Sequence, residues 1–190
     1  MTTTDPPATH ERVRPLLRTR QVRDFTDEPP TDAELEAITE VARWSGSSQN
    51  KQPWRFIVLR DPATLRAVAD AGLPSTRALT TAPAAIAIVM PATQERQVSF
   101  AYDEARAAER MLIAAGLLDL AAGIAWVRPD ARDTVRGLLG VPEDRMVRTV
   151  VAVGHPTAAA RQPKSAPGQA RRPREETVFA ERWPEGAGSE

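Results

Sequence analysis

The amino-acid sequence predicts a single domain of the α/β or α+β class, built on a small central sheet. Its 190 residues suffice for one full-sized core and are too few for two comfortable domains. Short apolar runs typical of strands are interleaved with helical patterns, and no segment repeats another. The longest apolar runs, such as residues 84–90, are far shorter than the ~20 residues that cross a bilayer. We therefore expect a domain without a membrane-spanning segment.

The start of the chain predicts two helices separated by a basic loop. The first ten residues are rich in threonine and proline and predict a disordered lead, whereas residues 11–17 predict a short helix. Residues 18–25 are basic and lack a clean period, which is typical of a loop. The next helix has a capping residue at Thr31 or Asp32. Its predicted apolar face consists of Leu35, Ile38, Val41 and Ala42.

The rest of the domain predicts four strands and three more helices. The predicted strands are residues 54–59, 84–90, 123–129 and 148–154. The predicted helices are residues 63–71, 100–118 and 130–140. The longest of these helices is expected to turn Ala107, Met111, Ala114, Ala115 and Leu118 inward.

Several classes of chemistry are excluded by composition. Basic and acidic side chains number 25 each, so the chain has no general attraction for nucleic acid or anionic lipid. The absence of cysteine excludes disulfides, thiolate nucleophiles and zinc–thiolate sites. The two histidines, His10 and His155, stand beside no nucleophile motif, so a hydrolase triad is not indicated. The first residues lack the apolar core of a secretory signal, and we expect a cytoplasmic protein.

The acidic residues do not supply an evident acid–base pair. Asp103 and Glu104 are adjacent, as are Glu175 and Glu176, and neighbours in a helix point in different directions. We interpret both pairs as solvated charge. Neither a G-x-G-x-x-G nor a P-loop motif occurs, and no metal site is indicated. The chemistry is therefore expected to come from a bound group.

Two loops carry side chains suited to holding such a group. The basic loop, residues 18–25, places Arg18, Arg20 and Arg23 within six residues, and arginine favours bidentate phosphate recognition. The polar loop, residues 47–52, contains serines and carboxamides whose donors and acceptors match the edge of a pyrimidine-like ring. Solvated surface arginine is the alternative for the basic loop. Trp44 and Trp54 are interpreted either as apolar walls of a site or as core residues.

These stretches together resemble the nitroreductase family of flavin-dependent oxidoreductases. The resemblance rests on RTRQVRDF, on DAELEAITEVARW and on SSQNKQPWRFIVL. DEARAAERMLIAAGLLDLAAGIAWV resembles the family's long central helix and flavin-facing turn. LGVPEDRMVRTVVAVGHP and RRPREETVFAERW resemble its last strand and C-terminal arm, so the resemblance spans roughly residues 16–183. It implies an α+β, nitroreductase-like three-layer fold with a small central mixed sheet flanked by helices, assembled as a dimer.

The resemblance implies a homodimer with FMN bound between its subunits and with NAD(P)H as co-substrate. The basic loop would meet the phosphate, the ribityl chain or the pyrimidine edge, and the polar loop the ring or the ribityl chain. Backbone N–H groups at Ala122 and Gly123 would reach N5 and O4 of the ring. Arginines of the C-terminal arm would close on the phosphate. The implied cofactor-binding residues are Arg18, Arg20, Gln21, Arg23, Ser47, Ser48, Asn50, Gln52, Ala122, Gly123, Arg171 and Arg172.

The expected organisation is a lead of residues 1–10, an FMN-binding domain of residues 11–154, and an arm of residues 155–190 that embraces the partner subunit. The arm is poor in core residues until Val178, Phe179 and Trp183, whose spacing predicts a short apolar-faced helix.

The expected function is hydride transfer from NAD(P)H through the flavin to a small acceptor such as a nitroaromatic or a quinone. Two alternatives remain open: a flavin- or deazaflavin-binding protein without turnover, and a relative that fragments flavin or dehalogenates a substrate. Nucleic-acid binding through the basic tail is disfavoured because interleaved aromatic residues are lacking.

Overall fold

A computed structural model describes residues 6–166 and 169–184. These residues divide into two compact units, on either side of the Ala160–Arg161 peptide bond. Residues 155–160, which the sequence assigned to the arm, pack with the first unit: Phe25 forms an isolated bridge with Pro156, and the Thr26 N–H donates to the carbonyl of His155.

The helices and strands of the first unit follow the predicted order. The helices are α1 (Pro6–Arg18), α2 (Asp32–Arg43), α3 (Pro62–Gly72), α4 (Gln97–Leu117) and α5 (Arg132–Leu138); the short α6 (Ala158–Arg161) ends one residue beyond this unit. The strands are β1 (Arg55–Leu59), β2 (Ala84–Pro91), β3 (Ala121–Trp126) and β4 (Arg145–Gly154). Because α1 begins at Pro6, residues 6–10 are helical, and the prediction of a disordered lead is wrong for them; residues 1–5 of that lead lie outside the described residues. No helix in the described part of the chain is long and apolar enough to span a membrane.

The sheet has the strand order β1-β2-β4-β3, and each neighbouring pair is antiparallel. The prediction of a mixed sheet is therefore wrong for the described strands, whose one parallel pairing is the isolated bridge of Gln21 with Ala122. The physical reason lies in the connections. Helix α3 joins β1 to its neighbour β2 and α5 joins β3 to its neighbour β4, each at one end of the sheet, so the two strands of each pair run in opposite directions. Only α4, with 21 residues, runs back along the sheet, and β4 separates the two strands that it connects.

Helices cover both faces of the sheet, which gives the predicted three layers. One apolar cluster joins the sheet to α3 and α5, and the other joins it to α2 and α4. Strand β4 contributes to both clusters, because successive side chains of a strand point to opposite faces. Val150 and Ala152 belong to the first cluster, and Val151 and Val153 to the second.

Helix α2 begins where the sequence predicts. Thr31 is the N-cap, and its hydroxyl accepts from the Glu34 N–H while the Glu34 carboxylate accepts from the Thr31 N–H, which is a capping box. The prediction that Val41 and Leu118 face the core is wrong. Val41 is 39% exposed and Leu118 is 37% exposed, because α2 buries only a narrow stripe and α4 ends one residue before Leu118.

Replacing Thr31 by Ala is expected to lower the free energy of unfolding by about 1 kcal/mol, because two N-terminal hydrogen bonds of α2 depend on its hydroxyl. Urea denaturation measures the loss, with the exposed Thr93→Ala as the matched control. The backbone N–H and hydroxyl of Thr31 hold the pKa of Glu34 below its ordinary value of 4.5. The stabilisation that the ionised Glu34 carboxylate contributes is thus present above about pH 4.5 and is lost as pH falls through the lowered pKa of Glu34 in the folded state. Equal stabilities of wild type and T31A at pH 7 would contradict the prediction.

The second unit consists of irregular chain with one short 3₁₀ turn, Arg174–Glu176, among the residues described there. The predicted apolar helix is wrong, since residues 177–183 contain bends and Glu181 has a φ of 60°. Such a left-handed backbone interrupts a helix. The rings of Phe179 and Trp183 still meet edge to face, with their centroids 5.0 Å apart. Val178 and Trp183 remain exposed in the single chain.

Candidate cofactor site

The basic loop lies along the outer edge of β3 and pairs with it through the isolated bridge of Gln21 with Ala122. The Val22 N–H donates to the Ala122 carbonyl over 2.9 Å, and the Ile124 N–H donates to Oε1 of Gln21 over 3.3 Å. Val22 is buried, whereas Gln21 and Arg23 on either side of it are exposed. This alternation turns two of the predicted site residues outward together.

The close docking of the basic loop depends on a glycine in β3. A Cβ atom at Gly123 would lie 1.9 Å from the carbonyl oxygen of Val22. No larger residue fits there without displacing the loop. Ala122 and Gly123, both predicted site residues, are buried in the strand.

The exposed side of the basic loop borders an open groove of about 530 Å³. Arg23 lies in the groove wall and makes no hydrogen bond or ion pair through its guanidinium with any residue that the structure describes. Arg77 lines the same groove and pairs with Asp24 over 2.8 Å. The other groove residues are Gln21, Pro74, Ser75, Ile124 and Trp126. The groove therefore offers positive charge beside an apolar wall.

The remaining arginines of the basic loop lie at its beginning. Arg18 is the last residue of α1 and is exposed. Arg20 is also exposed, and its Nη2 donates to the carbonyl of Ala160 over 3.0 Å. Arg171 and Arg172 lie in the second unit, and their predicted contact with a cofactor phosphate stays a prediction.

The polar loop adopts an uncommon backbone. Gln49, Asn50 and Gln52 have φ values of 54°, 52° and 47°, in the left-handed region that side chains other than glycine rarely adopt. Two bonds close the loop: Asn50 N–H donates to the Ser47 carbonyl over 3.0 Å, and Gln52 N–H donates to the Ser47 hydroxyl over 2.9 Å. Ser47 and Ser48 are half-buried.

This backbone brings the two carboxamides together on the surface. Nε2 of Gln52 donates to Oδ1 of Asn50 over 3.2 Å, and both side chains are exposed. The pair therefore presents further amide donors and acceptors outward, as recognition of a flat polar ring requires.

The two tryptophans near the polar loop have different environments. Trp54 is 3% exposed and stacks with Phe56 in the core, so it is a core residue. Trp44 is 69% exposed, and its indole N–H donates to Glu40 over 2.6 Å. The hydrogen bond from Arg43, and then the one from Trp44, lower the pKa of Glu40 to about 2. Only Trp44 remains available as an apolar wall.

The adjacent carboxylates of α4 are buried, so their interpretation as solvated charge is wrong. Asp103 and Glu104 are each 2% exposed. Both oxygens of Asp103 accept from the N–H of Ser48, at 3.0 and 3.2 Å. Glu104 pairs with Arg148 of β4. Neighbours on a helix differ in direction by about 100°, and the buried face of α4 is wide enough to include both. The wide face of small and apolar residues around them was the sequence signal that could have indicated burial.

The two loops lie at opposite ends of α4. The polar loop contacts Asp103, near the start of the helix, and the basic loop contacts Ala122, just after its end. A helix rises 1.5 Å per residue, so Asp103 and Leu117 are about 20 Å apart along the axis. One chain therefore does not bring its own basic and polar loops together. In the described part of the chain, no group of three acidic or histidine side chains forms a metal site.

Comparisons with known proteins agree with this architecture. Residues 16–84 match the model of the nitroreductase family. A protein of Archaeoglobus fulgidus assigned as NADH dehydrogenase/NAD(P)H nitroreductase is 30% identical over 155 residues, covering 77% of this chain and 86% of its own. A solved structure from Parabacteroides distasonis with the same assignment is 24% identical, with a TM-score of 0.76 over 91% of this chain and 99% of that one. An FMN-dependent nitroreductase from Clostridium difficile is 22% identical, with a TM-score of 0.75 over 89% and 98% of the two chains.

The fold and the relatives define an α+β flavoprotein oxidoreductase. The chain belongs to the nitroreductase family. The predictions of an enzyme, of FMN as cofactor and of NAD(P)H as co-substrate are confirmed at this family level. The two exposed loops fit such a cofactor, because arginines suit its phosphate and carboxamides suit its ring edge.

Proposed function

We propose that the protein passes hydride from NAD(P)H through FMN to a small acceptor such as a nitroaromatic or a quinone. The observation that carries the proposal is the pair of exposed loops whose chemistries complement the two ends of FMN. The name of the Archaeoglobus fulgidus relative supports the donor and the class of acceptor. Bound FMN supplies the redox chemistry, so no side chain needs to act as acid or base.

Each loop has a distinct proposed task. Arg23 and Gln21, which share the groove beside β3, bind the phosphate, ribityl or pyrimidine portion, and Arg18 and Arg20 add positive charge at the start of the loop. Positive charge near the ring stabilises its anionic reduced form. Arg171 and Arg172 are proposed to close on the phosphate, whose charge is about −1.5 to −2. Ala122 and Gly123 are proposed to contribute backbone contacts to the ring.

The polar loop is proposed to orient the ring. Ser47 and Ser48 line the ring or the ribityl chain, while Asn50 and Gln52 read the ring edge through their outward-facing amides. Held in this way, FMN would supply the hydride-transfer chemistry between the electron donor and the acceptor.

A second copy of the chain is proposed to complete the site. Since the two loops of one chain lie about 20 Å apart along α4, a two-fold axis across antiparallel α4 helices brings the polar loop of one subunit to the basic loop of the other. Apolar side chains exposed on the single chain are available for this contact. They are Val98, Tyr102 and Leu117 of α4 and Val41 and Trp44 at the end of α2. We also propose a cytoplasmic homodimer with no nucleic-acid partner.

The decisive experiment is spectroscopic. The purified protein is expected to be yellow, to bleach on anaerobic addition of NADPH or NADH, and to regain colour when a quinone is added. A yellow protein that does not bleach would favour a flavin-binding protein without turnover. A colourless protein that takes up no added FMN would refute the proposal.

Replacing Asn50 by Ala is expected to weaken FMN binding by about 1–3 kcal/mol, because one or two hydrogen bonds to the ring edge are lost. Quenching of FMN fluorescence on titration into the FMN-free protein measures the dissociation constant. Lys51→Ala is the matched control, since Lys51 is exposed in the same loop and has an ordinary φ of −72°. An unchanged FMN dissociation constant in N50A would exclude Asn50 from the site.

A further inference from the structure

We infer that Asp103 is a positioning residue, which fixes the polar loop in the conformation that presents Asn50 and Gln52 to FMN. This inference rests on the proposed function and assigns a task to a residue outside the proposed set of cofactor contacts. It starts from a carboxylate that the sequence places on a helix and the fold buries beneath a loop.

The contact between Asp103 and the polar loop is direct. The Ser48 N–H donates to both carboxylate oxygens, at 3.0 Å to Oδ1 and 3.2 Å to Oδ2. The donor lies at the first residue of the 3₁₀ turn Ser48–Asn50, and the acceptor lies two turns into α4. A rigid helix of 21 residues thus holds the turn at its first N–H group.

Asp103 accepts from an N–H that no side chain within the loop satisfies. Ser47 precedes the turn, but its side chain makes no capping bond, since its hydroxyl accepts from the Gln52 N–H instead. A capping side chain accepts from the second or third residue of a turn, so the N–H of Ser48, the first residue, needs a different acceptor, which α4 supplies. Ser47 therefore closes the loop on itself, whereas Asp103 attaches the loop to α4.

The burial of Asp103 is difficult to explain by stability alone. A buried carboxylate is unfavourable unless it is hydrogen-bonded or paired. Asp103 forms no ion pair with any arginine or lysine that the structure describes, in contrast to its neighbour Glu104, which pairs with Arg148. Its hydrogen-bond donor is the N–H of the polar loop, so its attachment to that loop is the interaction that offsets its burial.

The backbone of the polar loop shows why an anchor is needed. Three residues of the loop have left-handed φ values, and such a conformation persists only where surrounding contacts impose it. Arg96 adds a long contact of 3.4 Å from Nη2 to the Ser48 hydroxyl. Without Asp103, the loop would keep its internal closure but would lose its main attachment to α4, and the paired carboxamides would no longer be held in a fixed direction.

The lysine content of the chain allows a selective test of loop order. Lys51, in the polar loop, and Lys164, in the second unit, are the two lysines of the sequence. A lysine-specific endoproteinase therefore cuts at two positions, and cleavage after Lys164 serves as an internal reference. We compare wild type with D103N, which keeps the shape and one acceptor oxygen, and with D103A. The matched control is D133N, because Asp133 is an exposed acid of α5.

The full-length, FMN-free protein is digested, and the rate of cleavage after Lys51 is divided by the rate after Lys164. This ratio is expected to be about tenfold higher in D103A than in wild type, which corresponds to about 1.4 kcal/mol of loop attachment. The FMN dissociation constant is expected to rise by a similar factor, and the reduction potential of bound FMN is expected to shift. D103N should lie between D103A and wild type, because a neutral acceptor forms the weaker hydrogen bond. D133N should match wild type in each measurement.

The outcomes separate this inference from the proposed function. If wild type takes up no FMN, the proposed function fails, and the inference fails with it as stated. If wild type binds FMN but both Asp103 variants keep its FMN affinity, the inference alone is overturned. Unchanged cleavage after Lys51 overturns it as well. If D103A does not fold, the same criteria apply to D103N, which preserves the volume of the side chain.

Discussion

Replacing Gly123 by Ala is expected to detach the basic loop from β3 and to weaken FMN binding at least about 100-fold, or 2.7 kcal/mol. The added Cβ would lie 1.9 Å from the Val22 carbonyl oxygen, a backbone atom that cannot rotate away. The hydrogen bonds from Val22 to Ala122 and from Ile124 to Gln21 would then be lost. Overpacking of this kind costs about 1–3 kcal/mol of folding stability.

Gly137→Ala is the matched control for this substitution. A Cβ atom at Gly137, in α5, would meet nothing within 4 Å, so the same chemical change causes no clash there. Fluorescence titration of FMN and urea denaturation are measured for both variants. A G123A protein that binds FMN as tightly as G137A would show that the docking of the basic loop is irrelevant to the cofactor.

Replacing Glu104 by Ala is expected to destabilise the fold by about 3–5 kcal/mol, because Arg148 would be left nearly buried without its counter-charge. The Glu104 side chain is 3% exposed and that of Arg148 is 16% exposed, and Nε of Arg148 donates to Oε2 over 2.9 Å. Arg132 lies near enough for the charges of Arg148 and Glu104 to influence its pKa. Its pKa is lowered by burial and by the charge of Arg148, and Glu104 opposes that effect. Loss of Glu104 would leave the two guanidinium groups to repel each other.

A double substitution distinguishes loss of this pair from a general loss of packing. Replacing both Glu104 and Arg148 by Met is expected to recover most of the stability, because apolar residues of similar volume tolerate burial without a partner. Glu109→Ala is the matched control on the exposed side of α4. Urea denaturation provides each free energy. A loss below about 1 kcal/mol in E104A would place the pair among ordinary surface contacts.

The position of Arg148 in β4 explains how a charged residue enters the core. The register between β2 and β4 shifts between Ile88 and Val89, so that Arg148 is the extra residue of a bulge. A bulge re-aims the side chain of the extra residue, and here the side chain turns towards α4. Regular alternation would have directed it to the opposite face of the sheet. The pairing of β4 with β3 is not shifted there, since the Arg148 carbonyl accepts from the Val127 N–H in register with the pair of Trp126 and Thr149.

The sequence by itself determined the order of the elements and the chemistry of the two loops. Periodicity is local, so the helices and strands from α2 to β4 could be predicted close to their observed bounds. The cap at Thr31 could also be predicted, because its partner Glu34 is three residues away. The resemblance to the nitroreductase family depended on residue types in the basic and polar loops, which are present in the sequence whatever the fold.

Only the tertiary structure decided how distant segments meet. Whether a helix between two strands runs along the sheet or stays at one end is not encoded in its period, so the antiparallel sheet could not be predicted. The burial of Asp103 and Glu104 depends on partners 55 and 44 residues away, which no local pattern specifies. The separation of the basic and polar loops by the length of α4 likewise depends on packing, because the elements that fix them, α4 for the polar loop and β3 for the basic loop, follow both loops in the chain. Local periodicity determines which face of an element is apolar, whereas the partner of each face is determined by contacts that form only when the whole core assembles.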